Sequence, residues 1–175
     1  MANGVDFESL VASHYQSLYQ FAFSLTRDEA DACDLTQQTF YIWAAKGHQL
    51  RDESKVKTWL FTTLHREFLG ARRKQVRFPH VELEQAAAEL PAVSPAPFNR
   101  LDTSQVLAAL AHLDEIYRAP VSLFYLQDYS YLEIAEILGV PIGTVKSRLA
   151  RGLDHLHRLL TGSNAAGSLS WQPDL

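Results

Sequence analysis

The side chains best suited to chemistry lie in one short run: Thr144, Lys146, Ser147, Arg148 and Arg151, with His155 a turn further on. Among them Val145, Leu149, Leu153, Leu156 and Leu160 recur every three or four residues, the period of a helix with one apolar face. Thr144, Ser147, Arg148, Arg151 and His155 then share the opposite face, with Lys146 on its flank. Such a face is a row of hydrogen-bond donors at the width of the DNA major groove. Arg pairs bidentately with guanine there, and Ser and Thr reach bases or phosphates. A solvated outer face of an ordinary core helix would carry the same residues, so the element in front of it decides between the two readings.

In that element Leu132, Ile134, Ala135 and Leu138 sit at helical spacing and the run stops at Gly139, the residue that most cheaply turns left-handed after a helix. Ser130 with Glu133 three residues on forms a capping box for its start. Two helices joined by a glycine-containing turn make a helix-turn-helix, and the basic face coincides with its second helix.

Reactive chemistry has no comparable signal. The seven histidines form no H-x-x-x-H or Cys/His cluster, and His155 and His157 are two apart and cannot share a face. No glycine-rich phosphate loop appears, and no serine or cysteine has a recognisable partner. Cys33 is the only cysteine, which excludes an intramolecular disulfide and a multi-cysteine zinc site. The expectation is a protein that is not an enzyme, with no cofactor and no metal. No apolar run approaches the roughly twenty residues a membrane span needs, and no basic-then-apolar leader opens the chain, so a soluble cytoplasmic protein is expected.

The net charge of −4 disfavours a polyanion as partner, but its distribution does not. Residues 1–54 hold three basic and eight acidic groups, 55–77 seven and one, 78–141 two and nine, and 142–160 four and one. Positive charge is thus concentrated in two blocks. The length, 175 residues, suits one large domain or two small ones.

The elements that position these blocks read as helices throughout, and no segment alternates as a strand does. Asp6 caps a first helix ending near Arg27, with Phe7, Leu10, Val11, Leu18, Phe21, Ala22 and Leu25 as its apolar residues. Asp28 caps a second over 29–46, closed by Lys46 and Gly47. A polar loop, His48 to Ser54, leads to a third helix over about 55–74 with Val56, Trp59, Leu60, Thr63, Leu64, Phe68 and Ala71 inward. On it Trp59, Phe61 and His65 lie among Lys55, Lys57, Arg66, Arg72, Arg73 and Lys74; interleaved aromatics and cations suit single-stranded nucleic acid, although a tryptophan in a three-helix domain is more often core.

Pro79, Pro91, Pro95 and Pro97 break up the stretch that follows, which reads as an acidic tether. A three-turn helix with Val106, Leu107, Leu110 and Leu113 opens the second half, capped by Asp102, Thr103 or Ser104. Pro120 places the start of the next helix near Arg118. The expected fold is all-α: two small helical domains joined by a flexible linker, the second containing the helix-turn-helix. Their bounds are 1–76, a linker over 77–101, 102–161, and a disordered tail over 162–175 in which Trp171 has no assigned role.

Three segments in this order resemble the signatures of bacterial RNA polymerase sigma factors of the extracytoplasmic-function (ECF) group of the sigma-70 family. They are DACDLTQQTFYIW (Asp31 to Trp43), KTWLFTTLHREFLGARRK (Lys57 to Lys74) and YSYLEIAEILGVPIGTVKSRLARG (Tyr129 to Gly152). The resemblance implies that Asp34, Gln37, Phe40 and Trp43 grip the clamp helices of the largest subunit of core RNA polymerase. It implies that the loop His48 to Ser54 captures flipped bases of the melted minus-ten promoter element, with Trp59, His65, Arg66, Arg72, Arg73 and Lys74 along that DNA. Thr144, Lys146, Ser147, Arg148 and Arg151 would read the minus-thirty-five element, and an anti-sigma factor would hold the free chain inactive. Arg66 stands where the group usually has Asn, and Gly70 where it often has Asp, which touches minus-ten specificity. Two other classes use the same features: a helix-turn-helix regulator acting on duplex DNA without polymerase, and a sigma-like decoy that titrates an anti-sigma protein.

Overall fold

The structure, a computed structural model, describes residues 6–77 and 103–161. Among the described residues there are seven α-helices and no strand: α1 (Phe7–Thr26), α2 (Glu29–Lys46), α3 (Val56–Arg77), α4 (Thr103–Ala111), α5 (Glu115–Gln127), α6 (Tyr131–Leu138) and α7 (Ile142–Thr161). Two single 3-10 turns, Gly47–Gln49 and Glu53–Lys55, carry the chain from α2 to α3. The expected linker, apart from Arg77, and the expected tail lie outside the described residues.

The helix boundaries follow local chemistry. The Asp6 carboxylate accepts from the Ser9 amide, and the Asp28 carboxylate from that of Asp31, satisfying first-turn donors that have no partner within the helix. Ser130 and Glu133 complete the capping box in both directions, at 3.3 Å and 2.8 Å. Gly139 ends α6 at φ 65°, the left-handed conformation its position calls for.

Helix α5 corrects the sequence reading. It starts at Glu115 rather than near Arg118, and Pro120 lies inside it. Proline there removes one amide donor, so one helical bond is missing. Tertiary burial compensates. Every residue from Arg118 to Leu123 is buried, because α5 runs between α1 on one side and α6 and α7 on the other. Val121 and Leu123 are fully enclosed, and each such side chain stabilises by about 1.5–3 kcal/mol, comparable to the cost of the proline.

A three-helix layer, α1 to α3, and a four-helix layer, α4 to α7, meet in this way. Leu18, Phe21, Leu60, Phe61 and Leu64 fill the first, and Leu110, Ile134, Ile137, Val145, Leu149 and Leu156 the second. Phe61 joins them: its ring lies 5.3 Å from Phe21 and edge-on to Tyr129 at 5.4 Å. The sequence interleaves it with the cations of α3, as it does His65, and both are instead buried, because α6 packs on that side of the helix.

Candidate nucleic-acid interface

The second helix of the helix-turn-helix, α7, owes its position to one buried glycine. A Cβ on Gly152 would lie 2.5 Å from Val121 Cγ2 and 3.1 Å from Tyr117 Cβ, so α7 rests directly on α5. Val145, Leu149 and Leu156 bury the same side, and the opposite side turns to solvent. Lys146, Ser147 and Arg151 are exposed, while Thr144 and Arg148 are half-buried. The Ser147 hydroxyl donates back to the Thr144 carbonyl at 3.1 Å, which leaves its oxygen free to accept. Lys146 and Arg151 therefore offer the freest cations of the predicted set, while the positive charge of the half-buried Arg148 acts on His65 of α3.

On α3 the structure separates the six predicted residues. Arg66, Arg72, Arg73 and Lys74 are exposed. Trp59 is half-buried, edge-on to Trp43 at 5.1 Å between ring centres, and His65 is buried at 9 % exposure. Burial holds the His65 imidazole well below its usual value, down to about 4, and the positive charge of Arg148 adds to the effect. His65 is thus a neutral packing group in this arrangement, and Arg72 is engaged with Glu115 of α5.

The four predicted positions on α2 divide likewise. Asp34 and Gln37 are exposed, three residues apart on one face. Phe40 is 5 % exposed, stacked on Tyr15 at 6.3 Å and edge-on to Phe7. Trp43 is wedged between Trp59 and Gly47, whose added Cβ would strike the indole at 2.5 Å. Phe40 and Trp43 hold the face in shape, and the exposed aromatic group on it is Tyr41, 71 % exposed and seven residues beyond Asp34. Tyr41 was not singled out in the sequence. Its spacing from Asp34 and Gln37 carried the signal, since an exposed tyrosine beside a carboxylate and an amide has the composition of a protein interface. Asp34 and Arg72 also share a recess of about 360 Å³, lined with Arg27, Asp31, Gln38 and Arg118, at the junction of α1, α2, α3 and α5.

No group of three or more His, Cys, Asp or Glu side chains able to hold a metal ion occurs among the described residues, and no described helix is long and apolar enough to cross a membrane.

Comparison with known proteins defines the class to which this two-layer helical chain, with its basic helix-turn-helix and basic third helix, belongs. Residues 10–78 match the sigma-70 region 2 family and residues 103–156 the sigma-70 region 4 family. The chain is 33% identical to the ECF RNA polymerase sigma factor SigE of Mycolicibacterium smegmatis over 87% of its own length, and spans 61% of that relative. It is 33% identical to the ECF RNA polymerase sigma factor EcfG of Rhodopseudomonas palustris, covering 82% of this chain and 79% of the other. Among solved structures, the sigma factor RpoE of Bartonella quintana in complex with the anti-sigma factor NepR matches with a TM-score of 0.73 and 33% identity, over 89% of this chain and 97% of that one. The chain belongs to the sigma-70 family, in its ECF group.

Proposed function

We propose that this chain binds core RNA polymerase and directs promoter-specific initiation of transcription, with α2 docking on polymerase, α3 and the loop before it holding the opened minus-ten element, and α7 reading the minus-thirty-five element. The observation that carries the reading is the exposed row Lys146, Ser147 and Arg151 on a helix whose other side is locked to α5 through Gly152. A helix so fixed presents its donors as a rigid set, which base recognition in the major groove requires.

Strand opening in this reading needs no bond-making by the protein. Extruded bases stack on aromatic surface and phosphates pair with Arg66, Arg73 and Lys74, which shifts the equilibrium toward the melted duplex. Asp34, Gln37 and Tyr41 supply a carboxylate, an amide and an aromatic edge for a basic helix pair on polymerase. A protein working in this way is cytoplasmic and is not an enzyme. The similarity to a sigma factor solved with an anti-sigma factor supports an anti-sigma partner for this chain as well. The domain bounds that fit are 1–76 and 102–161, joined by 77–101.

Run-off transcription with purified core polymerase and a promoter mapped from overexpressing cells tests the proposal. Initiation at one position, dependent on the chain, is expected. Tight binding to a palindromic duplex without polymerase would favour the regulator, and failure to initiate at every mapped promoter would favour the decoy.

A further inference from the structure

The recess of about 360 Å³ at the junction of α1, α2, α3 and α5 is lined with charged groups that leave one another unpaired. Arg27, at the end of α1, and Arg118, on α5, supply cations; Asp31 and Asp34, three residues apart on α2, supply carboxylates. No ion pair among the described residues joins the two sets. Backbone contacts explain the gap. Arg118 Nη1 donates to the Leu25 carbonyl at 3.1 Å and Arg27 Nη1 to the Ala111 carbonyl at 3.3 Å, which holds both guanidinium groups in place without neutralising either. Arg72, the third cation of the lining, is taken by Glu115.

The chemistry of Arg118 calls for an anion. It is 4 % exposed, no carboxylate pairs with it, and its Nε is one of two buried side-chain atoms among the described residues without a hydrogen-bond partner. A buried guanidinium without a counter-ion is costly, and an oxyanion bound by its N–H donors removes that cost. Burial first, and then the like charge of Arg27, pull the Arg118 pKa below its usual value, a strain that a bound anion relieves.

The carboxylates set the other end of the occupant. Partial burial, followed by the charges of Asp28 and Asp34, pushes the Asp31 carboxyl above its usual range, so a cation beside it is favoured. The same carboxylates repel a second anionic group. Leu35, Phe68 and Ala71 add apolar surface to the lining, which suits a short carbon link between two charged ends. The volume lies at the lower end of the range for small-molecule sites, about 300–1,000 Å³.

We propose that this recess binds a small zwitterion, with its oxyanion on Arg118 and Arg27 and its ammonium group on Asp31 and Asp34. A phosphate or a carboxylate head satisfies the guanidinium pair alike.

Calorimetric titration of the full chain at constant ionic strength tests the proposal, with O-phosphoethanolamine, glycylglycine and inorganic phosphate as probes. A zwitterion is expected to bind saturably and at least about tenfold more tightly than inorganic phosphate, since it keeps the second charged contact. Tighter binding of O-phosphoethanolamine assigns a phosphate head to the occupant, and tighter binding of glycylglycine a carboxylate head. Affinity for the zwitterion is expected to fall by about tenfold or more in Arg118→Met. The same loss is expected in Arg27→Asn, which keeps the fold because Arg27 is exposed and its left-handed backbone, φ 58°, accepts asparagine. Asp34→Asn is expected to weaken the zwitterion and leave phosphate unchanged. Failure of both zwitterions to saturate, phosphate binding as tight as theirs, or full zwitterion affinity in Arg27→Asn or Asp34→Asn overturns the proposal.

Discussion

The seating of α7 on α5 is open to a direct test, because the same substitution at two helical glycines is expected to act with opposite sign. Gly152 and Gly70 both lie inside long helices, so replacement by alanine gains about 0.8–1 kcal/mol of helix propensity at either. At Gly70 nothing lies within 4 Å of the new Cβ. At Gly152 the new atom falls 2.5 Å from Val121 Cγ2, about an ångström inside carbon contact. Val121 is fully buried and Tyr117 Cβ is fixed to its backbone, so the helices must separate. Overpacking of this kind costs about 1–3 kcal/mol, which leaves a net loss of up to about 2 kcal/mol after the propensity gain. For a chain of 175 residues each kcal/mol moves Tm by about 2–4 °C. The midpoint of thermal unfolding followed by circular dichroism should rise by about 2–4 °C for Gly70→Ala and fall, by up to about 8 °C, for Gly152→Ala. A Gly152→Ala protein as stabilised as Gly70→Ala would refute the close approach of the two helices.

Other expectations follow from the same geometry. Gly47→Ala should drive the Trp43 indole from its seat, lowering stability by about 1–3 kcal/mol and red-shifting tryptophan emission; an unchanged spectrum would contradict the packing. Ser130→Ala removes the capping box and should cost about 1 kcal/mol in denaturant titration, with the slope unchanged. His65 makes stability depend on pH: its folded value, about 4, lies below the unfolded 6.5, so the unfolded chain binds the extra proton between them. Stability is therefore complete above pH 6.5 and falls as pH drops toward 4, by on the order of 3 kcal/mol at most. Equilibrium unfolding across that window should show the slope for wild type and a reduced one for His65→Gln; equal slopes would remove His65 as the cause.

The sequence disclosed what local chemistry controls. The caps at Asp6, Asp28 and Ser130, the left-handed Gly139 and the 3.6-residue periods each specify a helix end or face without reference to the rest of the chain. Where tertiary contacts decide, the reading went astray. Pro120 looked like a helix boundary because its local cost is visible in sequence, whereas the burial of Arg118 to Leu123 that outweighs it is not. Phe61 and His65 looked outward because a single amphipathic face was assumed for α3, and α6 covers a second. Within the candidate site, the cations of α7 were legible from spacing, whereas Asp34 and Gln37 came from the family resemblance and not from any periodicity. Tyr41 was passed over because its neighbours Phe40 and Trp43 carried the stronger apolar signal, and they are the ones turned inward.

The most direct test of the central claim reverses charge on the two freest cations of α7 while leaving the fold alone. Lys146 and Arg151 are both exposed, so Lys146→Glu with Arg151→Glu should preserve the circular dichroism spectrum and Tm. Start-site mapping of RNA made by core polymerase with this variant should show promoter-specific initiation reduced by about tenfold or more, the loss of one or two base or phosphate contacts. A folded variant that starts RNA at the same position and at the wild-type rate would contradict the account.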